Sequence, residues 1–93
     1  MIRSFGSAAT EELFTTGNSR HLPPDLLRRA VMRLAQIHAA NAVADLRLPP
    51  SNRLEALAGD RAGGYSIRVN DQWRICFRFK AGDAYKVEFI DYH

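Results

Sequence analysis

The last three residues, Asp91-Tyr92-His93, set a carboxylate, a phenol and an imidazole side by side. Upstream, Arg74 and Arg78 alternate with Trp73, Ile75 and Phe77, so the two arginines leave one side of a strand if the apolar residues leave the other. Arg68 keeps the same parity against Tyr65, Ile67 and Val69. An imidazole exchanges protons near neutral pH, and a guanidinium grips phosphate with a planar fork of donors. These groups suit cleavage of RNA by its own 2′-hydroxyl, which needs a base, an acid for the departing 5′ oxygen and cations for the charge that builds on phosphorus. No metal or cofactor is expected, because His21, His38 and His93 are scattered and Cys76 is the single cysteine. From the residues alone a second account stays open. The arginines then belong to a solvated face neutralised by Glu88, Asp71 or Asp60, and His93 merely happens to be last.

The chain must place these groups with few elements. Ile2–Phe5 reads as a short first strand, and Ser7 as the N-cap of a helix that carries Leu13 and Phe14 and stops at Gly17-Asn18. Pro23-Pro24-Asp25 opens a second helix, with proline in the first turn and an acid at the positive end of the dipole. Leu26, Leu27, Ala30, Val31, Leu34 and Ile37 recur there at helical spacing, and Arg28, Arg29, Arg33 and Gln36 are expected in water. A short helical turn over 41–45 is followed by an irregular stretch from Pro49 through Asp60. From Tyr65 the period becomes two. Asn70-Asp71-Gln72 and Ala81-Gly82-Asp83 are turns, and Tyr85, Val87 and Phe89 supply a further strand running into Asp91-Tyr92-His93. Tyr65, Tyr85 and Tyr92 suit either packing or stacking on bases. The fold class predicted is α+β, a small antiparallel sheet with N-terminal helices packed on one face, in a single domain over 1–93.

Composition sets the outer limits. With 93 residues, 46% hydrophobic and 25% charged, the chain is neither a disordered tail nor a multi-domain enzyme, and its small core favours a shallow surface site. The net charge is +3, and all basic residues except Lys80 and Lys86 are arginines. That quality suits nucleic acid, although arginine richness also follows from a GC-rich genome. One cysteine and no long apolar run point to a reducing cytoplasm, with no membrane.

Several segments are familiar in combination: Ile2-Arg3-Ser4-Phe5, Arg53-Leu54-Glu55-Ala56-Leu57, Gly59-Asp60-Arg61, Gly64-Tyr65-Ser66-Ile67, Trp73-Arg74-Ile75-Cys76-Phe77, Gly82-Asp83-Ala84-Tyr85 and Asp91-Tyr92-His93. Over essentially the whole chain the order resembles the HigB-like toxins, or plasmid maintenance killer proteins, of the RelE/ParE superfamily. The resemblance implies a bacterial type II toxin that enters the ribosomal A site and cuts messenger RNA until an antitoxin restrains it. It implies Asp91, Tyr92 and His93 as the catalytic end and Arg74 as the phosphate-binding arginine. Strand parity adds Arg68 and Arg78, and Arg53 and Arg61 complete the expected RNA-binding set. One studied type of member has a histidine at the position of Glu55, a lysine at Ala58 and a further arginine near Asn70. Glu55 then replaces an imidazole as base, or its presence alters the rate or choice of RNA; both remain open. Many chains of the family share the Leu-Glu-Ala-Leu version. The partner implied is a HigA-like helix-turn-helix antitoxin, which alone brings the toxin to operator DNA. A reading of another class is a ParE-like toxin that inhibits DNA gyrase by binding, which has no need of Asp91-Tyr92-His93.

Overall fold

The computed structural model describes residues 1–92; His93, expected at the catalytic end, lies outside the described residues. Helix α1 spans Ala8–Thr16 and helix α2 Pro24–Ala39. Ser7 caps α1 by accepting from the Thr10 N–H at 3.2 Å, and Gly17 ends it in the left-handed region at φ 70°. On α2, Leu26, Ala30, Leu34 and Ile37 are buried, as their spacing requires.

Four strands follow: β1 Glu55–Ala56, β2 Gly64–Arg68, β3 Trp73–Lys80 and β4 Asp83–Asp91. They form one antiparallel sheet in chain order. Its core face meets both helices through Leu13, Leu34, Ile37, Ile67, Ile75, Phe77 and Val87, all 2% exposed or less. Burial of such side chains supplies roughly 1.5–3 kcal/mol each, the main drive for docking the helices. The Ala81-Gly82 turn has positive φ at both positions, the geometry that matches strand twist in a two-residue hairpin.

Four expectations need correction. Residues 2–5 form no strand of their own but lie parallel to β4 through isolated bridges, Ile2 with Ala84 and Phe5 with Val87, and so cover an edge. The helical turn falls at Val43–Arg47. The stretch after Pro49 is only partly irregular, since β1 pairs Glu55 with Ser66 and Ala56 with Tyr65. Two residues carry too little periodicity to signal a strand. Arg33 and Gln36 are not simply hydrated: Arg33 donates to the Arg68 carbonyl at 3.2 Å, and Gln36 accepts from Asn52 at 3.1 Å.

The alternation of Tyr85, Val87 and Phe89 is interrupted as well. Cys76 pairs with Glu88 but Arg78 pairs with Tyr85, so two residues of β4, Lys86 and Val87, oppose Phe77 alone. This bulge, with Lys86 at φ 52°, shifts the parity of the strand. Tyr85 therefore joins Arg78 on the outer face, while Ala84 and Val87 are fully buried on the inner one.

Asn52, fully buried, holds the stretch before β1 in place by donating from Nδ2 to Gln36 Oε1 and to the carbonyls of Leu46 and Leu48 at 3.1, 3.1 and 3.3 Å. Asn52→Ala leaves those acceptors unpaired and is expected to lower stability by about 1–3 kcal/mol in urea denaturation.

Candidate active site

The outer face is built in rows across the strands. One row holds Arg68, Arg74 and Ile90; the next holds Glu55, Ser66, Cys76 and Glu88; a third holds Gly64, Arg78 and Tyr85. Parity thus sends Arg68, Arg74 and Arg78 to one side, as expected. Arg74 and Arg78 lie two rows apart, so they do not form a side-by-side clamp.

Arg74 is only 7% exposed. Its Nε donates to Ser66 Oγ at 2.8 Å, and Nη2 donates to the Arg53 carbonyl at 2.6 Å and the Ser66 carbonyl at 3.3 Å. Glu55 Oε1 stands 4.0 Å from Nη2. A guanidinium taken from water needs this many acceptors, because its desolvation is otherwise uncompensated. The guanidinium carbon also lies 5.6 Å from the centroid of the Tyr92 ring, within the range of a cation–π contact. Arg74 is a buried fixture beneath the site and not an open hand. Arg53 enters through its carbonyl, turned inward by a left-handed backbone at φ 44°, while its side chain is exposed.

The other arginines differ in freedom. Arg68 is paired with Asp71, so one of the acids expected to neutralise the face does so. Its carbonyl is held by Arg33, whose own pKa is lowered by burial and by the charges of Arg29 and Arg68. Among the described residues neither Glu88 nor Asp60 forms an ion pair with an arginine. Arg61 reaches Cys76 Sγ at 3.5 Å. Burial pushes the Cys76 thiol up, partly offset by the positive charges of Arg61 and Arg74 and reinforced by Glu88. Arg78 is exposed and touches the Ala62 carbonyl at 3.4 Å.

The end of β4 is held through Tyr92. Asp91 pairs with Trp73, Gln72 Nε2 donates to Asp91 Oδ2 at 3.1 Å, and the Tyr92 N–H donates to the Gln72 carbonyl at 2.7 Å. Trp73 is itself stacked on Phe89 at 4.6 Å. Tyr92 and Glu55 therefore both meet Arg74, and Arg68 borders it, whereas Asp91, paired with Trp73, takes the opposite parity and is tied to Gln72. Sequence reasoning missed Ser66 and Gln72. Ser66 shares the parity of Arg74 on the neighbouring strand, a signal that was readable; Gln72 sits in a turn and carried none. Tyr65 packs on Phe77 at 6.1 Å on the core side, which answers its alternative role. Among the described residues no three His, Cys, Asp or Glu side chains are grouped so as to hold a metal ion.

This sheet with two covering helices is the fold of small bacterial toxins. It superposes on YafQ from E. coli strain BL21(DE3), with a TM-score of 0.61 over 99% of this chain and 92% of that one, at 15% identity. A chain of the YoeB-YefM complex from Staphylococcus aureus gives 0.64 over 100% and 98%, also at 15% identity. Residues 3–93 match the family model for the HigB-like toxin, described as the RelE-like toxin of the type II toxin-antitoxin system HigB. Endoribonuclease HigB from Proteus vulgaris is 38% identical over the full length of both chains. Toxin HigB-1 from Vibrio cholerae serotype O1 is 42% identical, covering 100% of this chain and 98% of that protein. The chain belongs to the HigB-like toxin family, and as a type II toxin it has an antitoxin as partner.

Two outcomes test this geometry. Ser66→Ala strands the Arg74 Nε–H and is expected to cost about 1–3 kcal/mol in denaturant midpoint experiments, with a loss of activity beyond that of an Arg53→Ala change, which leaves the accepting carbonyl in place. Cys76 alkylation by iodoacetamide should be at least about tenfold slower in the folded chain than in urea at pH 8, because the thiolate is the nucleophile and burial disfavours it. The folded rate should rise only as pH climbs beyond the ordinary thiol range.

Proposed function

We propose that this toxin is an endoribonuclease that cuts ribosome-bound messenger RNA through the 2′-hydroxyl, without a metal ion. The observation that carries the reading is the anchored end of β4, which keeps Tyr92 against Arg74, itself beside Glu55. The Proteus vulgaris relative named endoribonuclease supports it.

In this mechanism a base takes the 2′-hydroxyl proton, the 2′ oxygen attacks phosphorus, the bond to the 5′ oxygen breaks, and an acid protonates that oxygen. The products are a 2′,3′-cyclic phosphate and a 5′-hydroxyl. His93 serves as proton shuttle, and Asp91 orients it. Glu55, exposed beside Arg74, supplies the second proton-transfer group in place of an imidazole. Tyr92, 42% exposed over the guanidinium, contacts the substrate, and Arg74 stabilises charge building on phosphorus from below. Arg68, Arg53 and Arg61 hold the strand electrostatically, and Arg78 does so further along. A site this shallow relies on the ribosomal A site to position the message, so naked RNA is cut slowly. The antitoxin is of the HigA helix-turn-helix type, and the toxin acts in the cytoplasm. Among the described residues no helix is long and apolar enough to cross a membrane.

Induced expression of the wild type should arrest growth and create new in-frame 5′ ends in cellular mRNA. His93→Ala should abolish both, and Glu55→Gln should slow cleavage by about 10²-fold or more. Arrest without new ends, accompanied by loss of gyrase supercoiling, would replace this reading with inhibition by binding.

A further inference from the structure

Beyond Arg78 the outer face opens into a groove of about 630 Å³ bounded by Gly63, Arg78, Phe79, Lys80, Tyr85 and Lys86. A recess of about 200 Å³ shares Arg78 and Lys86 with it and reaches Arg61 and Cys76, in the row that holds Glu55 and Ser66. Among the described residues, Arg78, Lys80 and Lys86 form no ion pair. Three cations gathered with no acid paired to them, although Glu88 lines the recess, repel one another, and a bound anion relieves that cost. The Tyr85 ring among them meets no other ring of the described residues, unlike Tyr65 on Phe77.

The bulge creates this arrangement. It turns Tyr85 outward, and it holds Lys86 at φ 52° with its N–H satisfied by Ser4 Oγ at 2.9 Å. A lysine kept in a left-handed conformation by a dedicated partner is a built feature, of the kind that re-aims side chains at functional surfaces. Gly63, at φ 92°, leaves room for Arg78: a Cβ there would stand 3.1 Å from Nη1.

We infer that this groove is a second nucleotide subsite for the strand being cut, with a base stacked on Tyr85 and its phosphate held by Lys86 and Arg78. The inference rests on the endoribonuclease reading for the identity of the strand. Arg78 lies four residues beyond Arg74 on β3, about 13 Å along the strand. The nucleotide held there is therefore not the one cleaved. The connecting recess makes the same RNA strand the occupant, because one chain can lie along the rows from Tyr92 to Tyr85.

The test measures binding, so it does not depend on cleavage. Uncleavable 2′-O-methyl uridine dinucleotide and hexanucleotide are titrated into the full chain by fluorescence anisotropy at several salt concentrations. The wild type should bind the hexanucleotide more tightly than the dinucleotide. Tyr85→Ala should weaken hexanucleotide binding about fivefold or more and leave the dinucleotide unchanged. Lys86→Gly keeps the left-handed backbone while removing the side chain and its charge, and should reduce the salt slope for the hexanucleotide by about 0.7. Thermal melts monitored by circular dichroism establish that both variants are folded. Hexanucleotide binding equal to wild type in both folded variants overturns the subsite. So does a loss confined to binding of vacant ribosomes, which would assign the groove to structural RNA. If the length dependence and both variant effects hold in a chain that cuts no message in cells, the endoribonuclease reading fails and the RNA subsite stands.

Discussion

A guanidinium almost withdrawn from water is the constraint around which this sheet is organised. Arg74 cannot shed its charge, so every direction from which water is excluded has to offer an acceptor. Ser66 offers two, a hydroxyl and a carbonyl, and Arg53 offers a third by adopting a left-handed backbone. The segment bearing Arg53 is held in turn by Asn52, which ties it to α2 and to the carbonyls of Leu46 and Leu48. Helix, irregular stretch and sheet are thereby made to agree on the position of one charge, and Tyr92 takes its place from that charge. In the low dielectric under the ring the charge is less screened than on an open surface, which makes it useful to a developing oxyanion.

The helices and the greasy side of the hairpin were legible because their signals are local. Ser7 and Gly17 delimit α1 through capping and a left-handed terminus, and the spacing of Leu26, Ala30, Leu34 and Ile37 identifies the buried side of α2. That Tyr65, Ile67, Ile75 and Phe77 share one face followed from alternation alone. What escaped depends on contacts distant in sequence. Strand β1 has only two residues, and its existence is decided by Ser66 and Tyr65 opposite it. The bulge at Lys86 interrupts an alternation that reads as regular through Phe89, and the hydroxyl that satisfies its N–H lies more than eighty residues earlier.

The candidate site divides in the same way. The residue types were readable, and parity placed Arg68, Arg74 and Arg78 on one side. Their exposure was not readable, since parity says which side a residue faces and nothing about what lies on top of it. Glu55, β1, Arg53 and Tyr92 cover Arg74, leaving Arg78 and Lys86 as the accessible cations further along. A family pattern that equates arginine with phosphate binding therefore distributes its labels unevenly over this surface.

Residues 1–6 lie along β4, with Arg3 donating to the Ala84 carbonyl at 2.7 Å and Gly6 to that of Val87 at 2.8 Å. Their partners are synthesised roughly eighty positions later. While a growing chain still lacks β4, its leading segment has no edge to join, however early the helices form. Closure of so long a loop is entropically expensive, and contacts of this separation slow folding. The same late contact sets Ser4 against Lys86. Completion of the basic groove is thus postponed to the final stage of folding, so an immature chain would carry the toxin's residues without its finished surface.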